Sequence, residues 1–357
     1  MKNILIVISN ITYRNGTERA VCNLANMLSS SNRYNVTIAS VKNSDGTVAF
    51  PLNENVCVSY LGIPFNGGIL KHTCLYIKVL KKLDKLCIEK DIDIVIGTES
   101  GFNYILPFLS NKIKKIGCEH FGWSRTRLHH KIIRKILYRF LSAVVVLTEN
   151  DFASYSFLRN VHVIPNSFSF VNTDFAKFEN KKIIAIGRLT YQKGFDRLIK
   201  IISKVKELLP DYKVCIYGQG ELKEKLLEQI HQNNLDDYLL LMDPVNDIQN
   251  VYKNSSIYVM TSRFEGLPMV LIEAQSYGIP IVSYNCPEGP SEVIINEKNG
   301  FLIPEGDENY FVEKLLLVAK NKSLWEEMHK SSLLQNERFS TKSICEKWEK
   351  LFTVVCN

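Results

Sequence analysis

The chain has 357 residues, 46% of them hydrophobic, and 44 Lys+Arg against 37 Asp+Glu give it a net charge of +7. That length exceeds one ordinary core and fits two domains. No stretch approaches the roughly 18 apolar residues of a spanning helix, which excludes a helical membrane protein. The nine cysteines show no C-x-x-C pair and no short framework spacing, which excludes a disulfide scaffold and points to a reducing cytosol.

The opening MKNILIVISN has a short apolar run and no small-residue cleavage site at signal-peptide distance, so residues 4–8 read as a first strand. An amphipathic helix follows at 16–30, then strands at 34–40 and 56–61, a lysine-rich helix at 70–90, and strands at 94–96 and 113–118. A helix at 131–141 and strands at 143–147 and 161–164 close this half. Such alternation predicts an α/β domain with a doubly wound parallel sheet over residues 1–166. The polar, irregular stretch 167–182 reads as a linker. A second α/β domain follows over 183–340, with strands at 183–186, 213–217, 238–241, 257–261, 280–284 and 301–303. Its helices fall at 195–209, 221–233, 268–277, 291–295 and 308–320. The last segment, 341–357, predicts a helix that returns across the linker to the first domain.

Charge is uneven along the chain. Residues 1–175 carry 21 Lys+Arg against 12 Asp+Glu, and the remainder 23 against 25. The densest basic segment is RTRLHHKIIRKILYR at 125–139, where Ile132, Ile133, Ile136, Leu137 and Phe140 recur at helical spacing between cations. Such a helix can lie on an anionic membrane; equally, it can be a solvated helix whose apolar stripe is core. Nucleic acid is not an expected partner, because Tyr138 is the only aromatic residue inside the cationic run.

The chemistry concentrates in two stretches. In TSRFEGLPMVLIEAQSYGIPIVSYN, at 261–285, a strand ends just before Glu265, and Pro268 suits the first turn of a helix. Glu273 shares a face of that helix with Met269, Val270 and Tyr277, so its carboxylate points into packed structure, at a cost of several kcal/mol unless it is hydrogen-bonded. The helix start also favours an anion. In GRLTYQKG, at 187–194, Arg188 and Lys193 occupy a loop at a strand's carboxyl end, where open α/β sheets bind ligands, and two cations there suit a pyrophosphate.

The pattern G-R-L-x-x-x-K-G followed by S-x-x-E-G-x-P-x-x-x-x-E-A-x-x-x-G-x-P-x-V resembles the retaining, nucleotide-sugar-dependent glycosyltransferases of family 4. The resemblance implies the GT-B architecture of two facing Rossmann-like domains, the first for the acceptor and the second for the nucleotide sugar. It implies that Arg188 and Lys193 hold the donor diphosphate and stabilise the departing nucleotide, that Glu265 sits by the donor sugar, and that Glu273 accepts from the ribose hydroxyls. The backbone N–H groups of Leu267, Met269 and Val270 would face the phosphates, and Gly218 in YGQGEL would pack the base. From the first domain, Gly16 in NGTER would approach the donor phosphate and His120 in CEHF would lie near the sugar and acceptor. Without the resemblance, a lone histidine reads as structural.

Members of the family generally need no metal, so no cofactor is expected. Asp91 and Asp93, with D-x-D spacing at a helix-to-strand corner, and the acid-free pair His129 and His130 are not read as ligands. The resemblance further implies a UDP-sugar donor and a glycan acceptor linked to polyprenyl diphosphate, used in bacterial surface polysaccharide assembly. The expected place is cytoplasmic, at the inner face of the plasma membrane, with the 125–139 helix held against it. The alternative is a catalytically silent nucleotide-sugar-binding homologue acting as an assembly partner. A nicotinamide-dependent oxidoreductase is disfavoured, because strand 4–8 is not followed by G-x-G-x-x-G.

Overall fold

The computed structural model describes residues 1–42, 47–64, 69–120, 122–123, 126–168, 174–245 and 247–356. The chain divides into two units, one formed by Met1–Ser169 with Ser340–Asn357 and the other by Phe170–Phe339.

The first unit runs β1 (Lys2–Ile8), α1 (Gly16–Ser30), β2 (Tyr34–Ser40), β3 (Cys57–Tyr60), α2 (Ile69–Glu89), β4 (Ile94–Gly97), α3 (Ser100–Asn103), β5 (Lys114–Glu119), α4 (Leu128–Leu137), β6 (Ala143–Val146), α5 (Glu149–Ser154) and β7 (Val161–Val163). Its seven strands are parallel in the order β3-β2-β1-β4-β5-β6-β7. Both faces of a parallel sheet are covered, so β1 is unbroken apolar from Ile4 to Ile8 rather than alternating. Ile4, Ile6 and Ile8 of β1 pack into one cluster with Val21 and Leu28 of α1. Leu5 and Val7 face the other way, against Val79 and Leu83 of α2.

The second unit repeats the plan with β8 (Lys182–Ile186), α6 (Phe195–Val205), β9 (Lys213–Tyr217), α7 (Lys223–Gln232), β10 (Leu239–Met242), α8 (Ile248–Lys253), β11 (Ile257–Met260), α9 (Met269–Ser276), β12 (Ile281–Tyr284), α10 (Pro290–Val293), β13 (Gly300–Ile303), α11 (Glu308–Lys320) and α12 (Lys322–Asn336). Its parallel order is β10-β9-β8-β11-β12-β13. The helix α13 (Thr341–Cys356) belongs to the first unit. Its Ile344, Trp348, Leu351, Phe352 and Val355 join the cluster of Ile4 and Ile6, and Phe352 meets the Tyr34 ring edge-on at 5.3 Å.

Four helices had no counterpart in the sequence pattern: α3, α5, α8 and α12. The reason is clearest in α12, whose buried residues are Trp325, Met328, Ser332 and Asn336. Two of these four are polar, so no apolar stripe marks the inward face. Trp325 Nε1 donates to the Ser256 carbonyl at 2.6 Å, and Asn336 Nδ2 to that of Ile272 at 2.8 Å. A further difference is that Pro268 is the N-cap of α9 rather than part of its first turn.

The basic helix departs most from expectation. Arg125 lies outside the described residues. Arg134 is not a surface cation: it is 3% exposed and pairs with Glu119 at the end of β5, Nη2 to Oε2, at 2.8 Å. The same guanidinium donates to Tyr155 Oη and Ser100 Oγ, each at 2.6 Å. Glu119 Oε1 also accepts from the Tyr138 hydroxyl and from Asn103 Nδ2 at 2.8 Å. Burial alone would lower the pKa of Arg134, but the Glu119 carboxylate together with Tyr155, Tyr138 and Tyr104 outweighs it and holds the pKa above its ordinary value. The inward face of α4 thus carries Arg134, with Ile133 and Leu137 half-buried and Leu137 packed on the cluster of Tyr138 and Tyr155, whereas Leu128, Ile132, Ile136 and Phe140 are exposed, so only part of the apolar stripe is core.

Breaking a buried ion pair from one side leaves an uncompensated charge, at a cost of about 3–5 kcal/mol. Arg134→Gln is expected to lower the unfolding free energy by that order in urea titration. Lys135→Gln, one residue on and exposed, is expected to stay within about 0.5 kcal/mol of the parent.

Candidate active site

In each unit the strand order turns about its first strand, so the loops after the two flanking strands open a crevice at the carboxyl edge of the sheet. In the second unit these are the loops after β8 and β11, which carry Arg188 and Lys193, and Glu265. Lys193 Nζ and Glu265 Oε1 are 2.6 Å apart, with side chains 16% and 7% exposed. Arg188 is exposed.

The two loops are joined along their length. The Arg263 N–H donates to the Gln192 carbonyl at 2.8 Å, and Gln192 Nε2 returns to the Phe264 carbonyl at 3.0 Å. Thr261 Oγ1 donates to the Gly194 carbonyl at 2.9 Å. Arg263 grips Asp196 with two bonds of 2.9 and 2.6 Å, and its guanidinium lies 4.0 Å from the centre of the Tyr191 ring. Gly194 has φ +64, and a Cβ there would strike the Thr261 carbonyl, so glycine is required. Gly218 has a structural duty of its own, since a Cβ would overlap the Gly187 carbonyl oxygen.

Glu273 lies in α9, 2% exposed, and Tyr252 Oη donates to its Oε2 at 2.8 Å. The burial cost noted from sequence thus has an answer inside the protein, independent of any ligand. Tyr252 of α8 stacks on Tyr277 with ring centroids 5.5 Å apart. Leu267 and Met269 are buried and Val270 is half-buried, so only their main chains can serve a ligand at the α9 start, where first-turn N–H groups lack helical partners. Gly289, after β12, abuts the Gly266 carbonyl so closely that no Cβ fits, bracing the loop of Glu265 from its other side. Sequence reasoning missed Tyr252, Arg263 with Asp196, and Gly289; only the glycine, beside Pro290, carried a local signal.

In the first unit, Gly16 opens α1 with nothing within 4 Å of where a Cβ would stand, so packing does not demand a glycine there. His120 follows β5 directly after Glu119 and lines a small cavity with Ala20, Thr98, Asn166 and Trp348. Burial lowers its pKa to about 4, leaving a neutral imidazole at physiological pH. The Asp93 carboxylate accepts from the Asn3 N–H at 2.7 Å. Among the described residues no group of three His, Cys, Asp or Glu is arranged to hold a metal ion.

The order of strands and the joined loops define a pair of Rossmann-like units, with Lys193 and Glu265 at the carboxyl edge of the second sheet. Residues 172–333 match the family described as Glycosyl transferases group 1. An uncharacterized glycosyltransferase of Haemophilus influenzae is 30% identical over 98% of this chain and 99% of its own. The amylovoran biosynthesis glycosyltransferase AmsD of Erwinia amylovora is 29% identical, over 98% and 99%. An N-acetyl-D-galactosaminyltransferase of Campylobacter jejuni, named for an undecaprenol-diphosphate-linked substrate, is 26% identical over all of both chains. Among solved structures, a TarM variant of S. aureus in complex with fondaparinux, alpha-GlcNAc-glycerol and UDP superposes with a TM-score of 0.83 at 18% identity, over 99% of this chain and 100% of that one. The chain belongs to the group 1 glycosyl transferases and has the two α/β units of the GT-B fold. It is a glycosyltransferase with relatives in surface polysaccharide biosynthesis.

Because the folded pKa of His120 lies below the ordinary 6.5, acid favours the unfolded chain. The contribution is complete above about pH 6.5 and is lost as pH falls towards 4, at no more than about 1.4 kcal/mol per pH unit for one proton. His120→Asn should flatten the stability–pH curve across that window, as read by urea titration at successive pH values. An unchanged slope would place the effect elsewhere.

Proposed function

We propose that the chain is a retaining glycosyltransferase that moves a sugar from a UDP-sugar to a hydroxyl of a glycan linked to polyprenyl diphosphate, working at the cytoplasmic face of the plasma membrane. The observation that carries the reading is the Lys193–Glu265 pair at 2.6 Å, a cation and an acid fixed side by side at the crevice of the second unit. Lys193 and Arg188 meet the diphosphate and stabilise the charge that grows on it as the glycosidic bond breaks. The acceptor oxygen bonds to the anomeric carbon, the bond from that carbon to the phosphate oxygen breaks, and the hydroxyl proton leaves with UDP. Glu265 holds the sugar. Glu273, already bonded to Tyr252, offers its remaining acceptor capacity to the ribose, and Leu267, Met269 and Val270 present N–H groups to phosphate. Gly218 packs the base.

Gly16 serves by admitting a phosphate to the α1 backbone, and His120 by hydrogen bonding as a neutral ring near sugar and acceptor. The two cations take the place that a metal ion fills in other transferases, so the reading includes no cofactor. The UDP in the TarM complex and the undecaprenol-diphosphate substrate in the name of the Campylobacter relative support the donor and acceptor classes.

A thermal-shift screen tests the donor, since a ligand of the folded state raises apparent stability by mass action. UDP should raise the melting temperature and NADH should not; the reverse would overturn the proposal. Glu265→Gln is expected to keep UDP binding and lose about 10²–10³ in turnover. Glu273→Gln keeps a partner for Tyr252 and should weaken UDP binding about tenfold or more. Activity should survive EDTA, and the product linkage, read by NMR, should keep the donor's anomeric configuration. A UDP shift without turnover on any glycan acceptor would leave a silent binder. Gly16→Ala should leave the melting temperature level or slightly raised, because alanine favours a helix, while weakening the donor; unchanged donor affinity would remove Gly16 from the site.

A further inference from the structure

Two parallel rows run along α4 and the 3₁₀ turn Tyr138–Phe140 that continues it. Leu128, Ile132, Ile136 and Phe140, each four residues from the last, are 74, 51, 57 and 66% exposed. Arg127, Lys131, Lys135 and Arg139 repeat the same spacing one position earlier, all exposed except the half-buried Lys131. Residues four apart line one face of a helix, so an apolar ridge is flanked by a cationic one. No Asp or Glu occurs between Glu119 and Glu149. The helix cannot turn the ridge inward, because Arg134 is committed to Glu119, Tyr155 and Ser100 on the opposite side.

We propose that this ridge is inserted into the headgroup region of an anionic bilayer, with Leu128, Ile132, Ile136 and Phe140 reaching the acyl boundary and the four cations meeting lipid phosphates. The proposal rests on the membrane placement given above and assigns the surface that achieves it. Charge decides the occupant. A soluble protein partner would need an acidic rim set around an apolar groove, whereas an anionic bilayer supplies both layers along any line and in any register. Arg134 takes no part in lipid contact; its duty is to hold α4 with the ridge outward.

The test is co-sedimentation with vesicles of phosphatidylcholine and phosphatidylglycerol, with phosphatidylcholine alone as the reference. The parent chain should partition onto the anionic vesicles and only weakly onto the neutral ones. Ile132→Ser with Ile136→Ser should lower the partition coefficient about tenfold or more, since each side chain withdraws from the acyl boundary. Lys135→Gln with Arg139→Gln should lower it at low salt and make it less salt-dependent. Both variants should keep the parent melting temperature and UDP shift, so a failure of docking is separable from a failure of the donor reading. Equal partitioning of parent and Ile132→Ser/Ile136→Ser would overturn the proposal. So would a parent that ignores vesicles but forms a dimer dispersed by the same substitutions, which would make the ridge a contact between copies of this chain.

Discussion

Among the described residues every strand pairing in both sheets is parallel, and that constraint arranges the rest of the molecule. Parallel strands deliver all their following loops to one edge, so residues far apart in sequence meet there without any local motif to announce it. Arg188 and Glu265 share an edge because β8 and β11 are neighbours, although the two residues are 77 positions apart in the sequence. The same geometry explains why both strands are so uniformly apolar: a sheet buried on two faces leaves chemistry only to its ends.

At those ends the molecule places carboxylates in two different economies of hydrogen bonding. Glu119 gathers Arg134, Tyr138, Asn103 and Ser100 around it, an arrangement that fixes a helix to a strand. Glu265 stands with Lys193 in the crevice of the second unit, where loops are cross-braced by Arg263, Gln192 and Thr261 rather than filled by packing. Such bracing organises the polar groups before any ligand arrives, which is the condition under which electrostatic stabilisation is strongest.

Much of this was legible in the sequence, for physical reasons that also mark the limit. The strands announce themselves because a doubly covered sheet demands unbroken apolar runs, and the loops of Arg188, Lys193 and Glu265 because glycines and prolines punctuate them. Glu273 was legible as buried from its helical phase. Its partner Tyr252 was not, since nothing local links it to a carboxylate 21 residues on. Arg134 looked like one more cation in a basic run; only the position of Glu119 across the fold shows that it faces inward. The apolar stripe in α4 left two readings open for the complementary reason, because periodicity reveals that a face is apolar and not which side of the helix the protein covers. In α12 the buried Ser332 and Asn336 erased the period altogether.

The place of α13 has a consequence for synthesis. Its side chains complete the cluster that Ile4 and Ile6 begin, so the first unit is built from both ends of the chain with the second unit between them. A ribosome adding about 5–20 residues each second needs on the order of ten to thirty seconds to travel from the end of the first segment to the start of the last. During that interval the second unit has all its strands and can fold, while the first waits with its sheet face covered by α1 but not by α13. The unit begun first is thus the last to be finished.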